Sequence, residues 1–562
     1  EITNEYRVMY DDDDDKSKTK TQSPSVSPIA LLKRYDRLKG DRTNWDQLWE
    51  ELAVFLMPGK ADFISKSTPG TKRAAEVYDS TAIHALQILA ASLHGSLTSP
   101  STKWFGLRFR EDQLNEDKEA KDWLEQCSKG IFQEFGKSNF STEVAEAYQD
   151  MVGFGTAALQ FDVKTKEAQF DGFNFRACHL AEVVIAESVE GRIDTVFRKL
   201  TLSARQAHQK FGDNCGEKSM KALETDPDKE FEYIQAVFPR ELKGEPAMVA
   251  PPHLRPFACY FISVVDKKIV KESGYYELPF MVPRWSKTTG DVYGFGPGCV
   301  ARPDIKTLNE ARKLAMKAWE KSIDPPLKAM QNGILGKIDM RPSTVTYVRD
   351  MSNLEPIVNA TNWNADQLML NDVRASVRRI FFSDQLELND GPQMTATEVQ
   401  VRYELMQRLL GPTLGRLQSE FLNPIVERAF YSMLRGNALP PMPEVLQEVG
   451  GDLDIEYVGP LARSQKMDEV TGIQRAIDGI MQLAQVNPEV LDIVDVDKAG
   501  RTITDRLGAP ADMLRGVEQV SEMRQSRQQQ QQAQVEAEQG QQQLDGATQM
   551  AQLEQMTSGS VQ

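Results

Sequence analysis

"VYGFGPGCVARPDIKTLNEAR", Val292 to Arg312, decides how the rest of the chain is read. Three glycines and a proline run straight into helical spacing. Such a stretch either presents backbone N–H groups to a phosphate or turns the chain into a long helix. The first option needs G-x-G-x-x-G between a strand and an immediate helix, so that successive amides face a pyrophosphate. Here the spacing is G-x-G-x-G, Pro297 removes a donor, and five residues separate Gly298 from a helical pattern that starts near Asp304. The stretch is read as a hinge or turn, carried by Gly294, Gly296 and Pro297.

Beyond the turn the chain is helical. "PDIKTLNEARKLAMKAWEKSI" places Ile305, Leu308, Ala311, Ala315 and Trp319 on a narrow stripe, a helix of roughly 30 Å at 1.5 Å per residue. Pro325 and Pro326 stop it, and residues 326–360 read as a strand-and-turn excursion with "STVTYV" as its best strand. "ADQLMLNDVRASVRRIFF" returns as a helix, and "SDQLELNDGPQM", Ser383 to Met394, is an acidic loop. "TATE", Thr395 to Glu398, is a capping box that starts a helix running to about Gly436, kinked by the internal Pro412 and Pro424. After the break "ALPPMPEV" come one strand, "DLDIEYV", helices to about Gln525, and a low-complexity Gln-rich tail.

Before the turn, "WDQLWEELAVFLMP" and "YDSTAIHALQILAASLHGSLTSP" are helices ended by prolines, with a third over about Lys118 to Gly136. Residues 155–290 change character: "AALQFDV", "EVVIAES", "IDTVFRKL" and "CYFISVV" are β-favouring runs separated by Gly, Asp and Pro turns, interrupted by a helix near Ser203 to Phe211. The fold class is α+β, predominantly α. The first 25 or so residues, with "DDDDDK" at Asp11 to Lys16, read as an added protease site or a solvated arm and take no part in the fold reading.

The composition sets limits. The chain of 562 residues, 40% hydrophobic and 8% aromatic, is an ordinary globular one, long enough for several domains. A net charge of −16 argues against a broadly basic nucleic-acid coat. Against that background Arg302 to Arg379 holds thirteen basic residues and nine acidic ones, which suits either solvated helix faces or a polyanion passing nearby. The five cysteines are scattered, never spaced C-x-x-C, and suit buried thiols in a reducing compartment. Cys178 beside His179, and His208 before Cys215, lack the paired short spacings of a zinc site. No apolar run reaches the ~18 residues of a membrane span.

Tests for catalytic chemistry fail one by one. "GIFQEFGKS", Gly130 to Ser138, is one residue too long for a phosphate loop and sits in a helical pattern. "DVDKAG", Asp495 to Gly500, begins like a calcium loop but has Ala499 at its fifth position and Arg506 at its twelfth. Asp452, Asp454 and Glu456 alternate on one strand, which suits a solvated face better than a metal site. Five histidines leave few acid–base candidates. No enzyme, metal or cofactor is expected.

"YDSTAIHALQILAASLHGSLTSPSTKWFGL", "TATEVQVRYELMQRLLGPTLGRLQSEFLNPIVERAF", "GNALPPMP" and "IEYVGPLARSQK" resemble, in this order, the head-to-tail connector or portal family of short-tailed bacteriophages. "YGFGPG" is similar to that family's Tyr-Gly-x-Gly-Pro turn before a stem helix. The resemblance covers residues 28 to about 520. It implies a ring, usually of twelve subunits, at one capsid vertex. Residues 1–27 would be an arm, 28–300 the wing, 301–324 and 363–382 two stem helices, 325–362 the clip, 383–394 the tunnel loop, 395–438 a kinked wing helix, 439–525 the crown and 526–562 the tail.

By the same resemblance Lys306, Lys313, Lys317, Lys321 and Arg378 on the stem, and Leu386, Leu388, Asn389 and Gln393 on the loop, would lie beside double-stranded DNA. Lys328, Lys337 and Arg341 would belong to the clip that meets the terminase large subunit and later the tail adaptor and nozzle proteins. Major capsid and scaffolding proteins would be further partners, and the host cytoplasm the place of assembly, with no membrane involved. Two rival readings stay open: an internal virion protein without ring symmetry, and a packaging enzyme, which should carry the phosphate loop or carboxylate cluster missing above.

Overall fold

The structure is a computed structural model that describes residues 26–64, 68, 70–71, 74–111, 117–166, 169–241, 250–323, 327–329, 354–356, 363–386, 410–443, 446, 453–457, 460–484, 495–506 and 519–532. They fall into two compact units, one drawn from residues 1–105, 127–440 and 459–461, the other from 106–126, 441–458 and 462–562.

The β content expected between 155 and 290 forms two antiparallel sheets in the first unit. Strands Val183–Glu187, Ile193–Ser203, Glu230–Pro239, Phe257–Ser263 and Lys268–Tyr275 pair in that order. Alternation along Glu230–Pro239 divides its side chains between the faces. Ile234, Ala236 and Phe238 join Val184, Phe197, Tyr260 and Ile262 under Leu31 and Tyr35 of helix Pro28–Asp41. Tyr233, on the other face, packs against Phe211 of the short helix Ala204–Phe211. That helix starts where Ser203 and Gln206 form a reciprocal capping box.

Strands Gln169–Ala177, Leu159–Lys166 and Phe280–Met281 make the second sheet. Its Phe161, Phe173 and Phe175 meet Phe135 and Phe140 in an aromatic core, with ring centroids between 4.4 and 6.3 Å apart for neighbouring pairs. Glu230–Pro239 and Lys268–Tyr275 are strands in addition to the runs expected from the sequence.

In the second unit, residues of strand Phe105–Phe109 pair with Leu453–Tyr457, and helices Pro460–Ala484 and Val496–Arg506 follow. Asp495 Oδ1 accepts from Lys498 N at 3.0 Å, so "DVDKAG" is a helix cap. Residues 526–532, which the sequence places in the tail, are helical together with the described residues 519–525. Among the described residues no helix is long and apolar enough to cross a membrane. The cysteines are free thiols; burial pushes Cys127 and Cys259 up to about 12 and Cys178 up to about 11.

Candidate functional site

The opening stretch is a joint built by alternation. Tyr293 and Phe295 point one way, into Trp45 and Trp49 of helix Thr43–Leu56, with centroids 4.8 Å apart for Trp45–Phe295 and 5.0 Å for Trp49–Tyr293. Gly294 and Gly296 point the other way, against the backbone at the end of helix Phe140–Phe154. A Cβ on Gly294 would lie 2.6 Å from Gly155 O, one on Gly296 2.8 Å from Val152 O, and one on Gly298 2.2 Å from Gly153 O. Gly294, Gly296 and Gly298 do not have positive φ; glycine is needed there for close approach. Gly155 needs it for both reasons, capping its helix at φ 83° with Gly294 O in the place of its missing Cβ. The N–H of Gly294 donates to Thr156 Oγ1 at 2.8 Å, and Ser286 and Phe295 exchange backbone bonds. The turn is therefore clamped on both sides.

The helix after it starts earlier than the spacing indicated. It runs Pro297–Ile323, with Pro297 at its start and Pro303 inside it. Pro303 has no N–H to give the carbonyl one turn back. The helix continues because Ala301, Ile305 and Leu308 are buried on either side of the proline. Strands Leu327–Ala329 and Leu354–Pro356 pair antiparallel, Lys328 opposite Glu355, and tie together the ends of the excursion. Helix Trp363–Ile380 then packs against Pro297–Ile323. Ala311, Leu314, Ala315 and Ala318 face Met369, Leu370 and Val373 across an apolar groove of about 240 Å³. The expected loop after it opens as a short helix, Ser383–Leu386, because Phe382 N-terminal to it takes φ 56° and its carbonyl accepts from Gln385 and Leu386. Leu386 is half-buried there.

Helix Pro297–Ile323 carries three differently furnished faces. One is the small-residue face just described. A second holds Lys306, Lys313, Lys317 and Lys321, which recur at helical spacing along one side. Glu51 takes Lys306 and also Arg302 at 3.2 Å, and Glu310 lies 3.6 Å from Lys313. Lys317 and Lys321 are exposed and have no ion pair among the described residues. The third face begins with buried Ile305 and Leu308 and emerges uncovered: Met316 is 47%, Trp319 62% and Ile323 68% exposed.

Arg378 is exposed on the second helix, while its neighbour Arg374 is held by Asp79 at 2.7 Å. Lys328 is exposed. Leu388, Asn389, Gln393, Lys337 and Arg341 lie outside the described residues, as does "STVTYV". Pro412 is exposed on a helix, and before Pro424 the chain widens into a π turn over Gln418–Leu422, which absorbs the missing proline N–H before helix Asn423–Arg435.

That π turn carries a residue the sequence reading missed. Glu420 grips Arg284, whose side chain is 1% exposed, with contacts of 2.6 and 3.1 Å. Arg284 also meets Glu187 and the carbonyls of Val292 and Gly191. Burial alone would lower the arginine's pKa, but Glu420 and Glu187 outweigh it and raise it. Arg428 is buried likewise, donating to Phe161 O at 3.1 Å and Glu277 O at 2.8 Å. His179 bonds to Lys60 O at 2.9 Å and accepts from Ala181 N at 3.0 Å, so its ring is spent on backbone groups. Among the described residues no group of three or more His, Cys, Asp or Glu side chains is placed to hold a metal ion.

A clamped turn, a long two-helix arm and a π-kinked return helix define a structural part. Residues 29–514 match the bacteriophage head to tail connecting proteins, and the chain belongs to that family. It is 30% identical to the probable portal protein of Bordetella phage BPP-1 over 509 residues, 88% of this chain and 90% of the relative. To the portal protein of Salmonella phage epsilon15 it is 29% identical over 510 residues, with the same coverage. Its function is that of a phage portal, the connector between head and tail, and its place is the portal vertex of the virion.

Proposed function

We propose that this portal works as a closed ring of twelve copies around a channel for double-stranded DNA, as a mechanical part without catalysis. Residues 28–300 form the wing, 301–324 and 363–382 the stem, 325–362 the clip, 383–394 the tunnel loop, 395–438 the kinked wing helix and 439–525 the crown. The terminase large subunit docks on the clip during packaging, and tail adaptor and nozzle proteins replace it there. Capsid and scaffolding proteins surround the wing during assembly in the host cytoplasm.

The observation that supports this is the three-faced helix Pro297–Ile323. A subunit in a ring needs one face for its own chain, one for a neighbour and one for the lumen. The covered small-residue face, the bare Met316–Trp319–Ile323 stripe and the lysine stripe supply these. Glu51 and Glu310 neutralise part of the lysine stripe, which keeps phosphate contacts few enough for DNA to slide.

Native mass spectrometry with end-on electron microscopy tests the ring: a 63.2 kDa chain gives a dodecamer of about 760 kDa with a central hole. Monomers or dimers in every buffer would overturn it. Lys317→Gln with Lys321→Gln tests the lumen, with altered packaging expected; unchanged packaging would remove the lysine stripe from the channel.

A further inference from the structure

A recess of about 470 Å³ lies where helix Trp363–Ile380 meets the start of helix Thr81–Leu97. Asn371, Arg374 and Arg378 line it from one face of their helix, at i, i+3 and i+7, and Arg312 closes it from the long helix. Asp79 is the acid among its lining residues.

The wiring inside the recess leaves two positive charges over. Asp79 Oδ2 accepts from Arg374 Nε at 3.0 Å and Nη2 at 2.7 Å, and its Oδ1 accepts from Thr81 N at 3.0 Å. Burial would raise this carboxyl, yet the bonds from Thr81 and Arg374 together lower it, so it stays ionised and fully engaged. One carboxylate thus already serves one guanidinium fork and one amide. Arg312 and Arg378 line the same recess, and their side chains make no hydrogen bond or ion pair among the described residues. The Thr81 amide at the helix start is already taken, so the two arginines carry the site.

We infer that this recess binds a phosphate group, held between Arg312 and Arg378 beside the Asp79–Arg374 pair. Two further forks need more acceptor oxygens than one carboxylate offers, and a phosphate has them, with charge to match. Guanidinium groups suit that role better than lysines because they are planar and weakly hydrated. The phosphate can be a free anion or one in a nucleic-acid backbone. Only the second source rests on the channel reading above.

The test uses the full chain and two probes, inorganic phosphate and a fluorescein-labelled blunt DNA duplex. Phosphate should raise the unfolding temperature above that in chloride at matched ionic strength. The response should persist in Lys317→Gln and vanish in the double variant Arg312→Gln/Arg378→Gln, whose side chains hold no partner among the described residues. Arg378→Lys, which keeps charge but loses the fork, should show a reduced response and serves if the double variant misfolds. If duplex anisotropy also loses about two units of salt slope in the double variant, the backbone is the source. If the duplex is unaffected while the phosphate response is lost, the site takes free phosphate. The site is overturned if phosphate stabilises no more than chloride, or if the double variant responds like the parent. It is overturned too if that variant loses only oligomer formation, which would mark the recess as a socket for a carboxylate of a second copy.

Discussion

Glu420, on the π turn of the kinked helix, accepts three hydrogen bonds from Arg284 across 136 residues of sequence, 2.6 Å from Nη2 and 3.1 Å each from Nε and the backbone N. The pair joins the segment entering the clamped turn to the helix returning past it. A buried guanidinium left with no carboxylate keeps a desolvation cost of ~3–5 kcal/mol; Arg284 would still face Glu187, so losing Glu420 costs a part of that. Glu420→Gln should therefore lower the urea midpoint measurably. Arg416→Gln, which loses only a 4.0 Å contact to the same carboxylate, should change it little. Equal effects would mean that the pair is not a structural tie.

The glycine joint makes a sharper contrast. Alanine at Gly298 would put its Cβ 2.2 Å from Gly153 O, and both atoms belong to backbone held by helices. Overpacking of this kind costs about 1–3 kcal/mol. Gly95→Ala, inside helix Thr81–Leu97 with nothing within 4 Å, should be neutral or stabilise by ~0.5–1 kcal/mol. Differential scanning fluorimetry of the two variants checks the order, and a harmless Gly298→Ala would refute the interlock.

The joint also shows how far the sequence could be read. The breaks around "AALQFDV" or "CYFISVV" are Gly and Pro turns, which act locally, so the sheets were legible. "KIVKESGY" was not, because an edge strand carries charges on its solvent side and lacks an apolar run. The turn before the long helix was legible, but its alternating contacts were not: glycine spacing does not say which backbone lies opposite. The helix start was misplaced because Pro303 looks like a boundary, and only the burial of Ala301 and Ile305 around it overrides that. Arg284 and Glu420 carry no local signal at all, since each is an ordinary charged residue until the fold removes water from both.

His94 makes the chain's stability fall with acid below the usual imidazole value. Its ring lies between Thr98 Oγ1 and Ser141 Oγ, each 2.9 Å away, and burial lowers its pKa from the usual 6.5. Through pH values just below 6.5 the unfolded chain therefore binds more protons at this position than the folded one. The His94 contribution is present above that pH and is lost as pH falls through the folded value. Urea midpoints at about pH 7.5 and about pH 5.5 should differ more for the parent than for His94→Gln. Parallel losses in both would assign the acid sensitivity to other groups.

Trp319 stands 62% exposed on the same side of its helix as buried Ile305 and Leu308, about three turns further on. A stripe that is core at one end and bare at the other is a surface awaiting cover, and Met316 and Ile323 widen it. Because Trp319 is so open in the single chain, Trp319→Asp should leave that chain's circular dichroism spectrum and unfolding temperature unchanged. In the proposed ring the same carboxylate would be buried without a partner, at a cost of several kcal/mol for every interface. Native mass spectrometry should therefore find folded monomer where the parent forms the large particle. Leu254→Asp, at another exposed apolar side chain far along the chain from this stripe, serves as the control and should assemble like the parent. Assembly of Trp319→Asp at parental protein concentration would place the subunit contact on some other face of the molecule.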